Sequence, residues 1–195
     1  MTAHFELQPA KSELSSLAEE FRREAGDREQ RLEKAAFDAG LAIRSGDYSL
    51  INLEPIVRWK SEHAVQYLIG NSSERIRRAL EVAAAPGAST REAINALLAL
   101  HGVDVPIASA ILTAISPERY AVMDCRVLEA LGYPRQDVQF YEDFLAFCRR
   151  LVNTGVVPGK CDNPEETPLR NLDRALRQWS ENQSDIGVEV TAGIA

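Results

Sequence analysis

Two aspartates 20 residues apart, Asp104 and Asp124, each stand immediately before an apolar run that reads as a helix. Each carboxylate can therefore accept an amide of a first helical turn, and Asp124 can equally serve a local salt bridge. Asp104 lies in the unit LLALHGVDVPIASAIL, residues 97–112, where Gly102 allows a close turn and Ala108 and Ala110 permit close helix packing. Such a turn points amides of Gly102, Val103 and Asp104 outward, a set of donors that can hold a phosphate oxygen directly or through a cation. The Asp104 carboxylate opposes this, because it would sit beside the phosphate and repel it. A bridging cation, an altered phosphate path, or a scaffold whose phosphate contact has weakened would each reconcile the two. Arg126, two positions past Asp124, can contact phosphate or pair with an acidic surface group.

Other chemistry has little support. Cys125, Cys148 and Cys161 are separated by 23 and 13 residues, without the CxxC pairing of a zinc or redox site. His4, His63 and His101 form no H-E-x-x-H or comparable cluster, so neither a metal nor a cofactor is expected. The net charge of −7 disfavours nucleic acid if spread evenly, but it is not. Residues 1–40 carry 6 basic and 9 acidic side chains, residues 41–135 carry 10 and 10, and residues 136–195 carry 6 and 10. The neutral middle can form a basic face from Arg44, Arg58, Lys60, Arg75, Arg77 and Arg78, which otherwise read as solvated surface groups. Trp59, Tyr67, Tyr120, Tyr133 and Tyr141 are candidates for base stacking or for the core.

The elements that must position these residues are helices. Leu14, Leu17, Ala18 and Phe21 make one apolar stripe, and Leu32, Ala35, Ala36 and Ala39 repeat it over 28–43. Pro55 speaks against one uninterrupted helix from Leu50 to Trp59. Ser72 or Ser73 can cap a helix carrying Ile76, Leu80 and Ala83, and Ser89-Thr90 opens the next, carrying Ile94, Leu97 and Leu98. After the turn HGVDVP at 101–106, a partner helix from Pro106 to Ile115 turns Ile107, Ala110, Ile111 and Ala114 inward. A short helix around Val127, Leu128 and Leu131 follows, then longer ones at 137–153 and 168–181. Strand alternation is scarce, so the expected fold is all-α. Its compact helical domain spans 1–181, as one unit or two packed lobes, with the hairpin at 91–115 and a flexible tail at 182–195. No stretch approaches the length of a membrane span, and MTAHFELQPAKSE lacks the pattern of a signal peptide, so a cytoplasmic protein without membrane contact is expected.

Over residues 91–132 the chain resembles the helix-hairpin-helix DNA glycosylase superfamily, base-excision repair enzymes related to endonuclease III and adenine glycosylase. Their hairpin reads approximately L-P-G-V-G-x-K-T-A, followed by V-D at the start of another helix. Leu100, Gly102, Val103 and Ala108 follow that pattern, and Asp124 of AVMDCRV takes the place of the catalytic aspartate, with Met123 for the usual valine. His101 replaces the proline, Asp104 the second glycine, and Pro106 the lysine that bifunctional members use to form a Schiff base with sugar. The resemblance implies a monofunctional glycosylase that flips a damaged or mismatched base out of double-stranded DNA. In such an enzyme Asp124 stabilises an oxocarbenium-like sugar or positions water. The alternative is a noncatalytic helical module binding DNA or protein, which Asp104, Pro106 and the acidic balance favour.

Overall fold

The structure, a computed structural model, describes residues 5–132, 137–160 and 163–192, with side chains in the last helix as far as Ser184. Among the described residues every regular element is helical: α1 Leu14–Glu24, α2 Asp27–Arg44, α3 Leu50–Lys60, α4 Val65–Leu68, α5 Ser73–Ala84, α6 Thr90–Leu98, α7 Val105–Ile115, α8 Cys125–Glu129, α9 Val138–Val152 and α10 Pro168–Ala192. Side-chain caps set many of the starts. Ser72 accepts the Arg75 amide, Asp137 that of Phe140, and Ser89 and Glu92 form a reciprocal capping box at α6.

The core is one continuous apolar cluster running from Phe5 to Leu176. At its centre lies α7, in which every residue but Pro106 is buried, more than the single inward face its periodicity suggests. An apolar helix surrounded on all sides needs neighbours all round, and α2, α3, α5 and α6 supply them. Close approach of α2 depends on Gly40, where an added Cβ would lie 2.0 Å from the Ala114 carbonyl oxygen. Meanwhile α10 runs along α1 and covers α8 and α9.

Two local expectations are corrected. Pro55 sits inside α3, which is uninterrupted from Leu50 to Lys60. The carbonyl that loses its helical donor belongs to Ile51, which is 80% exposed, so water can satisfy it. In addition, α10 runs to Ala192, past the end near 181 that its apolar pattern suggests.

A buried charged group ties α2 to α10. Glu33 Oε1 accepts from Arg170 Nε at 2.7 Å and from Arg174 Nη2 at 2.6 Å, and Arg170 also pairs with Asp173. All four side chains are buried. Burial pushes the Glu33 carboxyl up, but the charges and hydrogen bonds of the two arginines outweigh it and hold it below the ordinary range.

Candidate functional site

Helices α6 and α7 form the hairpin, and its turn is built as its residue types require. Gly102 has φ 82°, a left-handed conformation suited to glycine. Its missing side chain also makes room: a Cβ there would lie 2.7 Å from Tyr67 Cβ, so the turn packs directly on α4. Asp104 caps α7, with Oδ1 accepting the Ile107 amide at 2.9 Å, and Pro106 occupies the first turn, where no helical donor is needed. Val103 buries its side chain and donates its amide to Leu100. The amides of Gly102 and Asp104 have no hydrogen-bond partner among the described residues, which leaves two donors at the turn. Asn71 clamps the turn from outside, accepting the His101 amide at 2.8 Å and donating to the His101 carbonyl at 3.0 Å.

From α7 the chain passes through residues 116–124 to Asp124, and buried polar groups pin that connection. Ser109 Oγ accepts the Met123 amide at 3.0 Å, and Asp173 accepts that of Val122 at 3.2 Å. Tyr141 donates its hydroxyl to the Ala121 carbonyl, and Thr167 to that of Pro117. Each contact satisfies a backbone group that burial would otherwise leave unpaired.

So placed, Asp124 caps α8 through Oδ1, which accepts the Val127 amide at 3.0 Å, while Oδ2 accepts from Lys60 Nζ at 2.8 Å. The two side chains are 15% and 17% exposed, so the pair is largely withdrawn from water. Burial raises the Asp124 carboxyl pKa, but Lys60, the Val127 amide and the charge of Arg177 together hold it below the ordinary value. The carboxylate is therefore ionised at neutral pH. Arg126 turns towards α10, donating to Ser184 Oγ at 2.6 Å, and lies 3.7 Å from Glu129.

Lys60 also lines a cleft of about 480 Å³ between the end of α3 and the start of α2. Arg28, Arg58 and Arg177 share its wall with Glu29 and Glu62, and each is ion-paired: Arg28 with Glu62, Arg58 with Glu54 and Glu62, and Arg177 with Glu29 and Glu181. Trp59 forms an apolar part of the same wall, steadied by Phe37 and by the Arg170 guanidinium 5.2 Å from its ring centre. A cleft of this size is within the range of small-ligand sites.

The remaining candidates divide. Arg44 pairs with Glu118, Arg58 with Glu54 and Glu62, Arg77 with Glu74 and Glu81, and Arg78 with Glu74, whereas Arg75 has no ion pair among the described residues. Tyr120 and Tyr141 are core residues, Tyr67 is half exposed beside the hairpin turn, and Tyr133 lies outside the described residues. Cys148 is buried and Cys125 exposed, while Cys161 is outside the described set. No three His, Cys, Asp or Glu side chains are grouped to hold a metal ion among the described residues.

Sequence reasoning counted Lys60 among surface cations and missed it as the partner of Asp124. It also missed the polar residues on α10, although Arg170, Asp173, Arg174 and Arg177 follow i, i+3, i+4, i+7 spacing. That periodicity places four charges on one helical face, a usable signal of a shared environment. No protein-family model, curated protein or solved structure matches this chain.

Proposed function

We propose that this chain is a monofunctional DNA glycosylase of the helix-hairpin-helix kind, hydrolysing the N-glycosidic bond of a damaged or mismatched base in double-stranded DNA. One observation carries the reading. Asp124 is an ionised, largely buried carboxylate on a segment pinned by the second hairpin helix, and it is paired with a lysine that lines the cleft. A flipped base enters that cleft and lies against Trp59, while Arg28 and Arg177, held by Glu62 and by Glu29 and Glu181, exchange those partners for the phosphate of the entering nucleotide. The amides of Gly102 and Asp104 hold a backbone phosphate beside it. Tyr67 and Ile69, 49% and 81% exposed next to the hairpin turn, supply apolar surface to fill the vacated stack. As the C–N bond breaks the base leaves with the bonding pair, the positive charge on the sugar takes the place of the Lys60 ammonium as partner of Asp124 Oδ2, and water adds to the anomeric carbon, its proton passing to the departed base.

A second reading, a noncatalytic helical module that binds DNA or protein, is favoured by the engagement of both Asp124 oxygens, by Lys60 and by the Val127 amide. The two readings separate on a panel of duplexes carrying single damaged or mismatched bases. The glycosylase yields an abasic product whose strand breaks only on later alkaline treatment, and Asp124→Asn reduces its formation by roughly 10²- to 10³-fold while leaving DNA association intact. Undiminished cleavage by the folded variant rules out the role of Asp124. Binding without any product on the whole panel supports the module.

A further inference from the structure

We propose that a second cavity, at the end of the hairpin opposite its turn, binds a small organic phosphate ester. The Arg119 guanidinium, just past the end of α7, donates to the Ala88 carbonyl just before α6 at 3.1 Å, so the start of α6 and the end of α7 meet away from the turn at Gly102. A cavity of about 620 Å³ opens there, closed on its other sides by the end of α9 and the start of α10.

The charges around it set the chemistry. Arg119 and Arg149 both line the cavity, and neither has a carboxylate partner among the described residues. Arg44, Arg77, Arg91 and Arg177, by contrast, are each paired with a glutamate. Each guanidinium is instead anchored by one backbone carbonyl, Arg119 on Ala88 at 3.1 Å and Arg149 on Arg119. A guanidinium carries five N–H donors, so a single anchoring bond fixes the fork and leaves donors for an anion. Glu118 is the one acid in the lining, and its carboxylate is drawn off to Arg44 at 3.4 Å. Thr90 and Asn153 add neutral side chains with no hydrogen-bond partner among the described residues.

Ser89 and Thr167 also line it, their hydroxyls already committed to Glu92 and to the Pro117 carbonyl, and Val152, Pro168 and Leu169 form an apolar part of the wall. A bare anion would leave that surface and most of the volume unused. A phosphate held by the two arginines with an organic body against the apolar wall uses both. Because the site shares no residue with the cleft beside Lys60, it stands or falls apart from the glycosylase reading.

Isothermal titration calorimetry of the full chain tests it, with inorganic phosphate, glycerol 3-phosphate and adenosine monophosphate as probes in chloride buffer. At least one ester is expected to bind with Kd below about 1 mM and more tightly than inorganic phosphate. Arg149→Gln and Arg119→Gln are each expected to weaken it by roughly tenfold or more. Arg150→Gln, next in sequence but outside the lining, leaves it unchanged. Because each arginine also holds a backbone carbonyl, circular dichroism melts establish that both variants are folded, and affinities are compared for those that melt as wild type does. The proposal is overturned if folded wild-type protein gives no binding heat with either ester up to about 10 mM. It is overturned equally if Arg150→Gln weakens binding as much as Arg149→Gln, or if inorganic phosphate binds as well as the esters.

Discussion

Ser109 Oγ, in the second turn of α7, accepts the amide of Met123 at 3.0 Å and donates to the Pro106 carbonyl at 2.6 Å. One buried hydroxyl thus joins the first turn of the second hairpin helix to the residue immediately before Asp124. Hairpin geometry and carboxylate position are consequently coupled through a single side chain. Ser109→Ala leaves the Met123 amide buried without its acceptor, at a cost of about 1–3 kcal/mol. Urea unfolding is expected to show a lower midpoint with an unchanged slope. A midpoint equal to wild type means that the Met123 amide finds another acceptor, and the coupling fails.

At Gly102 two penalties add. An alanine there must adopt φ near 82° and bring its Cβ to 2.7 Å from Tyr67 Cβ. Left-handed backbone costs about 1–2 kcal/mol and overpacking about 1–3 kcal/mol, so Gly102→Ala is expected to destabilise by roughly 2–5 kcal/mol. Measured against Tyr67→Gly alone, Gly102→Ala in the Tyr67→Gly background lacks the Cβ–Cβ clash but keeps the backbone strain, and should recover part of the loss. Full recovery would show that strain contributes nothing.

Local structure and long-range pairing were legible to very different degrees. The helical periods, the caps at Ser72, Ser89, Asp104 and Asp124, and the turn at Gly102 are written within a few residues of where they act. Lys60 and Asp124 are 64 positions apart, Asn71 and His101 are 30, and Glu33 and Arg170 are 137. Nothing in the spacing of such pairs announces them, because they meet only after α2, α3, α7 and α10 have packed. The same reason explains Pro55: a helix interior tolerates it where the orphaned carbonyl faces water, and that exposure is a tertiary property.

Acid titration isolates the Lys60–Asp124 pair. The folded-state pKa of Asp124 is held below its ordinary value, so its stabilisation is fully present above about pH 4 and is lost as pH falls through the depressed value. Glu33 contributes with the same sign. Lys60→Met removes the largest favourable influence on Asp124 and leaves Glu33 untouched. The variant is expected to be less stable than wild type by about 1–3 kcal/mol at pH 7, with the difference shrinking as pH falls below about 4. Thermal melts from pH 2.5 to pH 7 measure this. A difference that stays constant across the range shows that Lys60 stabilises by packing rather than by charge.

The conflict at Asp104 yields the sharpest test of the hairpin as a DNA contact. Its Oδ1 is committed to the Ile107 amide, yet the whole charge remains at the exposed turn, beside the two unpartnered amides that are to receive a phosphate. Asparagine caps a helix about as well as aspartate, so Asp104→Asn keeps α7 in place and removes only the charge. If the amides bind phosphate directly, the variant holds duplex DNA more tightly, by roughly two- to fivefold at low salt. Its logarithmic dependence on salt concentration keeps the wild-type slope, because the number of neutralised phosphates is the same. If a cation bridges Asp104 to the phosphate, the order reverses: wild-type binding then weakens on chelation of divalent ions, and the asparagine variant binds less tightly and ignores the chelator. Fluorescence anisotropy with a labelled duplex, run with and without chelator, separates the two. An affinity that neither the substitution nor the chelator moves places the DNA contact away from this turn.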